Sequence, residues 1–304
     1  MQTSSKYTYA VIGTGAIGGY YGGRLAHAGR EVHFLLHSDY DYVREHGLQV
    51  DSCDGSFHLD NPLIYKDTKD MPQVDVVIVG LKTTKNAMLK TLLPPLLKPT
   101  TLVLLIQNGV GVEYDVQKMF PGVQLCAGLA FICSAKSELG RVNHQAYGSI
   151  NIGNYSCRSA EVVQALLGDF NEAGIVAREV EYNEARWRKA VWNMPFNGMT
   201  VVMDTTTNRL LEQPEMLHVI RQQMLEVIHA AWACGATGIP EEFADTMIQM
   251  TLEMVPYSPS MKLDFDFHRP MEVYYLYSRP LQIAREHGAS MPRLEMLEAE
   301  LKMK

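Results

Sequence analysis

The sequence predicts an α/β protein in two parts, a doubly wound parallel sheet followed by an all-helical C-terminal domain. Three features carry that prediction. The apolar run Tyr9-Ala10-Val11-Ile12 passes at once into Gly13-Thr14-Gly15-Ala16-Ile17-Gly18, a G-x-G-x-x-G pattern. Up to about residue 180, short apolar runs alternate with helical patterns, the signature of a parallel sheet covered on both faces. From residue 181 onward the strand-like runs stop and helical periodicity takes over. The first part then reads as a Rossmann-type dinucleotide-binding domain over 1–180, and the second as a helical substrate domain over 181–304.

The elements follow in order. Residues 7–12 form the first strand, 17–28 a helix rich in small residues, and 31–36 the second strand. In the turn between them the first glycine permits the sharp strand-to-helix bend. The second lets a pyrophosphate approach the backbone, and the third lets the helix pack closely on the strand. The helix N-terminus offers N–H groups and partial positive charge to phosphates. A glycine-rich turn with no ligand is the plainer alternative. Residues 74–79 and 101–106 are further strands, and 50–65 reads as shorter strands or loops. Segments 141–144 and 148–152 look like the arms of a small hairpin, 162–173 a helix and 175–180 a strand. Helices are expected over 184–202, 214–234, 240–254 and 270–287.

Composition narrows the classes. The chain has 304 residues, 47% of them apolar, enough for two cores. The net charge of −7 and the lack of a Lys/Arg block argue against a nucleic-acid partner. No apolar stretch reaches transmembrane length, and residues 1–9 lack a hydrophobic signal core, so a cytoplasmic setting is expected. Cys53, Cys126, Cys133, Cys157 and Cys234 are odd in number and form no C-x-x-C pair, which fits a reducing compartment. With no H-E-x-x-H and no close His/Cys cluster, no metal site is expected.

Two patterns bear on chemistry. Lys189, Asn193 and Asn197 recur every four residues and share one helix face, flanked by Trp187, Trp192 and Phe196. Asn is a poor interior helix former. This strip is either a solvated face with a snorkelling lysine or a polar wall facing a cleft. Pro195 should kink the helix or break its hydrogen-bond ladder locally. At strand ends, Lys82 follows 76–81 and Asn108 follows 102–107, where open α/β sheets bind ligands. Asn108-Gly109 is equally a plain turn, and Lys82 equally a solvated charge.

With these residues assembled, the chain resembles the ketopantoate reductase family (2-dehydropantoate 2-reductases) over essentially its whole length. The resemblance rests on Gly13 to Gly18, Leu81-Lys82, Gln107-Asn108-Gly109 and Trp187-Arg188-Lys189 with Asn193 and Asn197. Ser260-Met261 and Glu272 complete it. It implies a dinucleotide domain and a helical domain with the active site between them, NADPH as cofactor, and reduction of ketopantoate to (R)-pantoate in pantothenate and coenzyme A synthesis. It implies Lys189 as the catalytic lysine and Glu272 as the acid that engages the substrate hydroxyl. Asn193, Asn197 and Ser260 would hydrogen-bond substrate, and Asn108 and Lys82 would stand at the cofactor–substrate junction. Gly13, Thr14, Gly15, Ala16, Ile17, Gly18, His37 and Ser38 would hold the cofactor. A homodimer is compatible with the apolar helices, and the loop of Tyr257, Ser258 and Pro259 is a candidate gate.

One position departs from the family pattern. Relatives that bind NADPH usually carry arginine at the end of the second strand, where this chain has His37. Histidine lacks the permanent charge and fork geometry of guanidinium. Ser38 adds a hydroxyl, and Asp39 is a candidate for gripping ribose hydroxyls, so NAD is a possible cofactor beside NADP. Competing readings are a reductase of another small branched 2-keto acid, a non-catalytic dinucleotide-binding sensor, and a β-hydroxyacid dehydrogenase relative.

Overall fold

The computed structural model describes residues 7–254 and 258–304, so Tyr257 of the candidate gate lies outside the described residues. The chain forms two compact units. One comprises the described part of Met1–Gln107 with Glu113–Tyr182, the other Asn108–Val112 with Asn183–Lys304. Asn108–Val112 thus joins the second unit although it lies within the stretch 1–180.

The first unit is built on a ten-stranded sheet. Its strands are β1 (Thr8–Ile12), β2 (Glu31–Leu35), β3 (Leu48–Ser52), β4 (Phe57–Leu59), β5 (Leu63–Tyr65), β6 (Val74–Val79), β7 (Leu97–Leu105), β8 (Gln124–Glu138), β9 (Arg141–Asn154) and β10 (Ala177–Val180). The order is β4-β3-β9-β8-β7-β6-β1-β2-β5, with β10 beside β9. From β5 through β8 every pairing is parallel. The sheet is mixed beyond that, because β8 and β9 form a long antiparallel ribbon and β3 pairs antiparallel with β4. Residues 9–12 of β1 are wholly buried, as a central parallel strand requires. The helices of this unit are α1 (Ala16–His27), α2 (Tyr40–His46), α3 (Leu89–Leu92), α4 (Val112–Met119) and α5 (Ala160–Glu172). Tyr21 of α1 meets Phe170 of α5 edge-on in the shared core. Below them Asp169 accepts hydrogen bonds from the Tyr9 hydroxyl and from Arg30 Nε (2.8 Å).

The hairpin expected within 141–152 is absent. Those residues form one continuous strand, β9, whose partner β8 had no clear sequence signal. Gly148 marks a bulge rather than a turn: Tyr147 pairs with Ile132 and Ser149 with Phe131, and the two central residues carry φ of 66° and 113°.

The second unit is helical. It contains α6 (Tyr182–Val202), α7 (Thr207–Leu211), α8 (Pro214–Ala233), α9 (Glu242–Glu253), α10 (Ser260–Asp266), α11 (Arg279–Glu286) and α12 (Pro292–Leu301). Buried Glu226 of α8 caps α12 by accepting the N–H groups of Arg293 (3.0 Å) and Leu294 (3.3 Å). α6 continues as one helix through Pro195, which has no N–H to give to the ladder. The Tyr277 hydroxyl donates to Met194 O (2.5 Å) and receives a backbone hydrogen bond from Gly198, so it stands inside the helical ladder.

The single helix expected over 270–287 is instead a π-helical turn, Tyr274–Ser278, leading into α11. Pro280 gives the reason. Arg279 N–H bonds Tyr274 O in the i→i+5 pattern, and the next such donor would be Pro280, which has no N–H. The Tyr275 carbonyl so released accepts the Val110 N–H at 3.1 Å. Gly109, at φ 109°, makes this approach possible, since a Cβ there would lie 2.4 Å from Tyr275 O. No helix among the described residues is long and apolar enough to cross a membrane.

Close approach also governs the first turn. A Cβ on Gly18 would lie 2.3 Å from Gly13 O and 2.9 Å from Val11 Cγ1. Replacing Gly18 with Ala is expected to lower stability by about 1–3 kcal/mol. A denaturant titration checks this, with a lower midpoint at unchanged slope.

Candidate active site

Lys189 and Asn193 of the strip on α6 face a pocket of the second unit. Arg186, Lys189, Asn193 and Met194 form one wall, and Gly109, Val110, Tyr275 and Leu276 form the other. Helical spacing explains the first wall, since residues three and four apart stack on one face. The second wall exists because Pro280 frees the Tyr275 carbonyl that holds the Asn108–Val112 segment. Trp187 and Phe196 point into the core, 1% and 0% exposed, and fix the roll of the helix. Trp192 donates to Thr251 Oγ1 (2.9 Å). Arg188, between the pocket residues, serves the fold: it pairs with Glu184 (2.7 Å) and donates to Gly238 O (2.7 Å).

Lys189 is half-buried, and its ammonium is poorly solvated. Burial lowers its pKa from 10.5 to about 7; the neighbouring Arg186 cation acts in the same direction and the Glu272 carboxylate opposes both. Glu272 is itself buried, 7% exposed, and precedes the π turn. The three groups thus form an electrostatic set in which a lysine titrates near neutrality. Such a group can hold a proton and release it.

The remaining expected substrate residues divide. Asn193 lines the pocket. Asn197 does not; its Nδ2 donates to Asn193 O (2.9 Å) and its Oδ1 accepts the Met261 N–H (3.1 Å) at the start of α10. It therefore positions Ser260, the half-buried first residue of that helix. Asn108 is half-buried beside Gly109 in the segment held by Tyr275.

In the first unit the glycine turn has the form a dinucleotide requires. Gly13 has φ 90°, the Gly15 N–H donates to Gly13 O (2.8 Å), and Thr14 Oγ1 donates to Leu35 O (3.0 Å), tying the turn to the end of β2. A Cβ on Gly15 would meet nothing within 4 Å, so open space lies against the backbone at the second glycine of the turn. No side chain caps the N-terminus of α1, where Ala16, Ile17 and Gly18 begin the helix. Lys82 is half-buried just past β6. Nearby, Gln107 Nε2 donates to Leu81 O (2.8 Å) and Asn86 Oδ1 (2.6 Å), joining the ends of β6 and β7.

At the end of β2, His37 and Ser38 are exposed and Asp39 is buried. Asp39 is not available for ribose as its sequence position allows. Its carboxylate pairs with Lys136, accepts the Gly140 N–H (3.1 Å) and accepts from Ser38 Oγ (2.9 Å). This acid anchors the turn between β8 and β9.

Comparison with known proteins agrees with this architecture. The family profile described as "Ketopantoate reductase PanE/ApbA" matches residues 9–156, and "Ketopantoate reductase PanE/ApbA C terminal" matches 181–304. The chain belongs to the ketopantoate reductase family. It is 42% identical over 300 residues to a 2-dehydropantoate 2-reductase of Nostoc sp., covering 97% of this chain and 94% of that protein. The crystal structure of 2-dehydropantoate 2-reductase from Geobacter metallireducens GS-15 superposes with a TM-score of 0.94 at 36% identity, covering 97% of this chain and 99% of that one. The enzyme from Methylococcus capsulatus gives 0.90 at 32% identity, covering 97% and 96%.

Three residues near the candidate sites carried no role in the sequence reading. Arg186 stands three residues before Lys189 on the same face, a spacing that was legible. Gln107 shows only as an amide closing an apolar strand. Tyr275 acts through its carbonyl, which no side-chain pattern reveals. Because Asp39 is engaged within the fold, Asp39→Ala is expected to cost about 2 kcal/mol of stability. The ratio of NADPH to NADH affinity should stay within about two-fold of wild type, as fluorescence titration of both cofactors would show.

Proposed function

We propose that this protein reduces 2-dehydropantoate to (R)-pantoate with NADPH, as a step of pantothenate and coenzyme A synthesis, with Lys189 as proton donor. The single observation that carries the reading is a lysine with a pKa near 7 in a polar pocket of a ketopantoate reductase family member. The glycine turn would hold a nicotinamide dinucleotide, whose chemistry would be hydride donation to the keto carbon. As negative charge grows on the ketone oxygen, the Lys189 ammonium stabilises it and gives up one proton, leaving a neutral amine and a secondary alcohol. Glu272 supports the charged form of Lys189, and its role toward the substrate hydroxyl is the one the family resemblance assigns. Asn193 orients the substrate, and Asn197 sets Ser260 through α10. Arg186 keeps the lysine acidic enough to donate near neutral pH.

On the cofactor side, Gly13 to Gly18 would cradle the pyrophosphate, and Lys82 and Asn108 are the residues that the family resemblance assigns to the nicotinamide end. His37 and Ser38, both exposed, take the 2′-phosphate. Engagement of Asp39 by Lys136 and Gly140 leaves no acid at this strand end to repel that phosphate, which favours NADPH over NADH.

The test is NADPH oxidation with ketopantoate, repeated with NADH and with other branched 2-keto acids. Saturable turnover is expected with ketopantoate and NADPH, and His37→Arg should strengthen the NADPH preference. Lys189→Ala should lower kcat by about 10²–10⁴-fold while NADPH affinity is retained. In the wild type, kcat/KM for reduction should fall as pH rises through about 7, because the donor is then deprotonated. Glu272→Gln removes the charge that raises the lysine's pKa, so the same limb should move to lower pH. Undiminished turnover in Lys189→Ala would overturn the assignment of the donor.

A further inference from the structure

A second cluster of chemically capable side chains lies in the first unit, at the end of β3. β3 and β9 run parallel with Ser52 opposite His144, and the Cys53 N–H donates to His144 O (3.1 Å). This register sets the Cys53-Asp54 turn beside the His144 ring. Cys53 Sγ lies 3.8 Å from His144 Nδ1 and 3.8 Å from Asp54 Oδ1, and the three candidate ligand atoms all fall within 4.8 Å of one another. Cys53 and Asp54 are exposed; His144 is buried.

The histidine is already arranged as a ligand. Its Nε2 faces Ala146 O (3.2 Å) and Tyr147 O (3.1 Å), and both are acceptors, so Nε2 carries the hydrogen. Nδ1 of the neutral ring then presents a lone pair toward Cys53 and Asp54. Tyr20 packs on the imidazole with ring centroids 4.3 Å apart and holds its plane. An N–H held by carbonyls, with the lone pair of the other ring nitrogen directed toward further ligands, is the arrangement that orients metal-ligating histidines. Ser52 Oγ donates to Nδ1 at 2.8 Å, and that hydroxyl can turn away while still accepting the Asp54 N–H (3.1 Å).

We propose that Cys53, Asp54 and His144 bind a borderline-soft divalent cation of the zinc class. One sulfur, one nitrogen and one oxygen donor suit zinc, with water at a fourth tetrahedral position. Ligands about 2.0–2.3 Å from a tetrahedral centre stand roughly 3.3–3.8 Å apart, so the cluster needs only a small inward movement of exposed side chains. Binding releases the Cys53 thiol proton to solvent as the sulfur–metal bond forms, while His144 and Asp54 contribute lone pairs and no electron transfer occurs. The sequence concealed the site because Cys53 and His144 stand 91 positions apart.

The full-length protein, stripped with chelator, should be titrated with Co²⁺ and then Zn²⁺. One equivalent of Co²⁺ is expected to give the visible bands of tetrahedral cobalt with thiolate-to-metal charge transfer, displaced by Zn²⁺. Cys53→Ser should abolish the charge-transfer band, and Cys53→Ser and Asp54→Asn should each weaken binding by at least about ten-fold. Cys157→Ser should bind as wild type, and Cys53→Ser should keep the wild-type rate of NADPH-dependent turnover. His144→Gln is a further variant, but Cys53 and Asp54 are exposed and test the site without disturbing a core. Absence of stoichiometric Co²⁺ binding, or unchanged affinity in both Cys53→Ser and Asp54→Asn, would overturn the proposal.

Discussion

The site depends on keeping a charged amine where water solvates it poorly. A shift of the Lys189 pKa from 10.5 to about 7 means its ammonium is disfavoured by on the order of 5 kcal/mol relative to water. Nothing in the local sequence of α6 imposes this by itself. Trp187 and Phe196 fix the roll of the helix by filling the core, which commits Lys189 and Asn193 to the pocket face. Arg186, on that face, adds a second cation. Glu272 is the counterweight, and its burial makes its charge effective at moderating the lysine. Removing the packing would let water reach the amine and return it to an ordinary lysine.

The opposite wall rests on one missing hydrogen. Pro280 cannot close the i→i+5 ladder, so the Tyr275 carbonyl is released and holds Val110. Gly109 allows the approach because it alone tolerates φ 109° with no Cβ between the two backbones. The Asn108–Val112 segment is thereby part of the helical unit, although it directly follows a strand of the sheet unit. A proline, a glycine and a π turn, far apart in the chain, act as one device.

Much of this was legible in the sequence where the signal is local. The apolar run into Gly13 to Gly18, the parallel strands and the i, i+4 spacing that puts Lys189 and Asn193 on one helix face each rest on neighbouring residues. What escaped depends on distant pairing. β8 was missed because its partner β9 is interrupted by a bulge at Tyr147-Gly148 that reads as a turn. The helix expected over 270–287 overlooked what Pro280 does to its own ladder. Asp39 offered an acid at a cofactor-binding strand end, but Lys136 and Gly140, about a hundred residues away, occupy it. Asn197 shares the helical spacing of the strip, yet its amide is taken by α10. Side-chain type and spacing locate candidates, and the competing hydrogen-bond partners decide which of them remain available.

The most direct test of this account is the titration of Lys189 itself in the ligand-free protein. Lysine labelled at the side-chain carbon and nitrogen would be followed by NMR across pH 5–11, with Lys189→Arg assigning the resonance. The account predicts one lysine titrating near pH 7. A Lys189 resonance that titrates near 10.4, the ordinary lysine value, would contradict it.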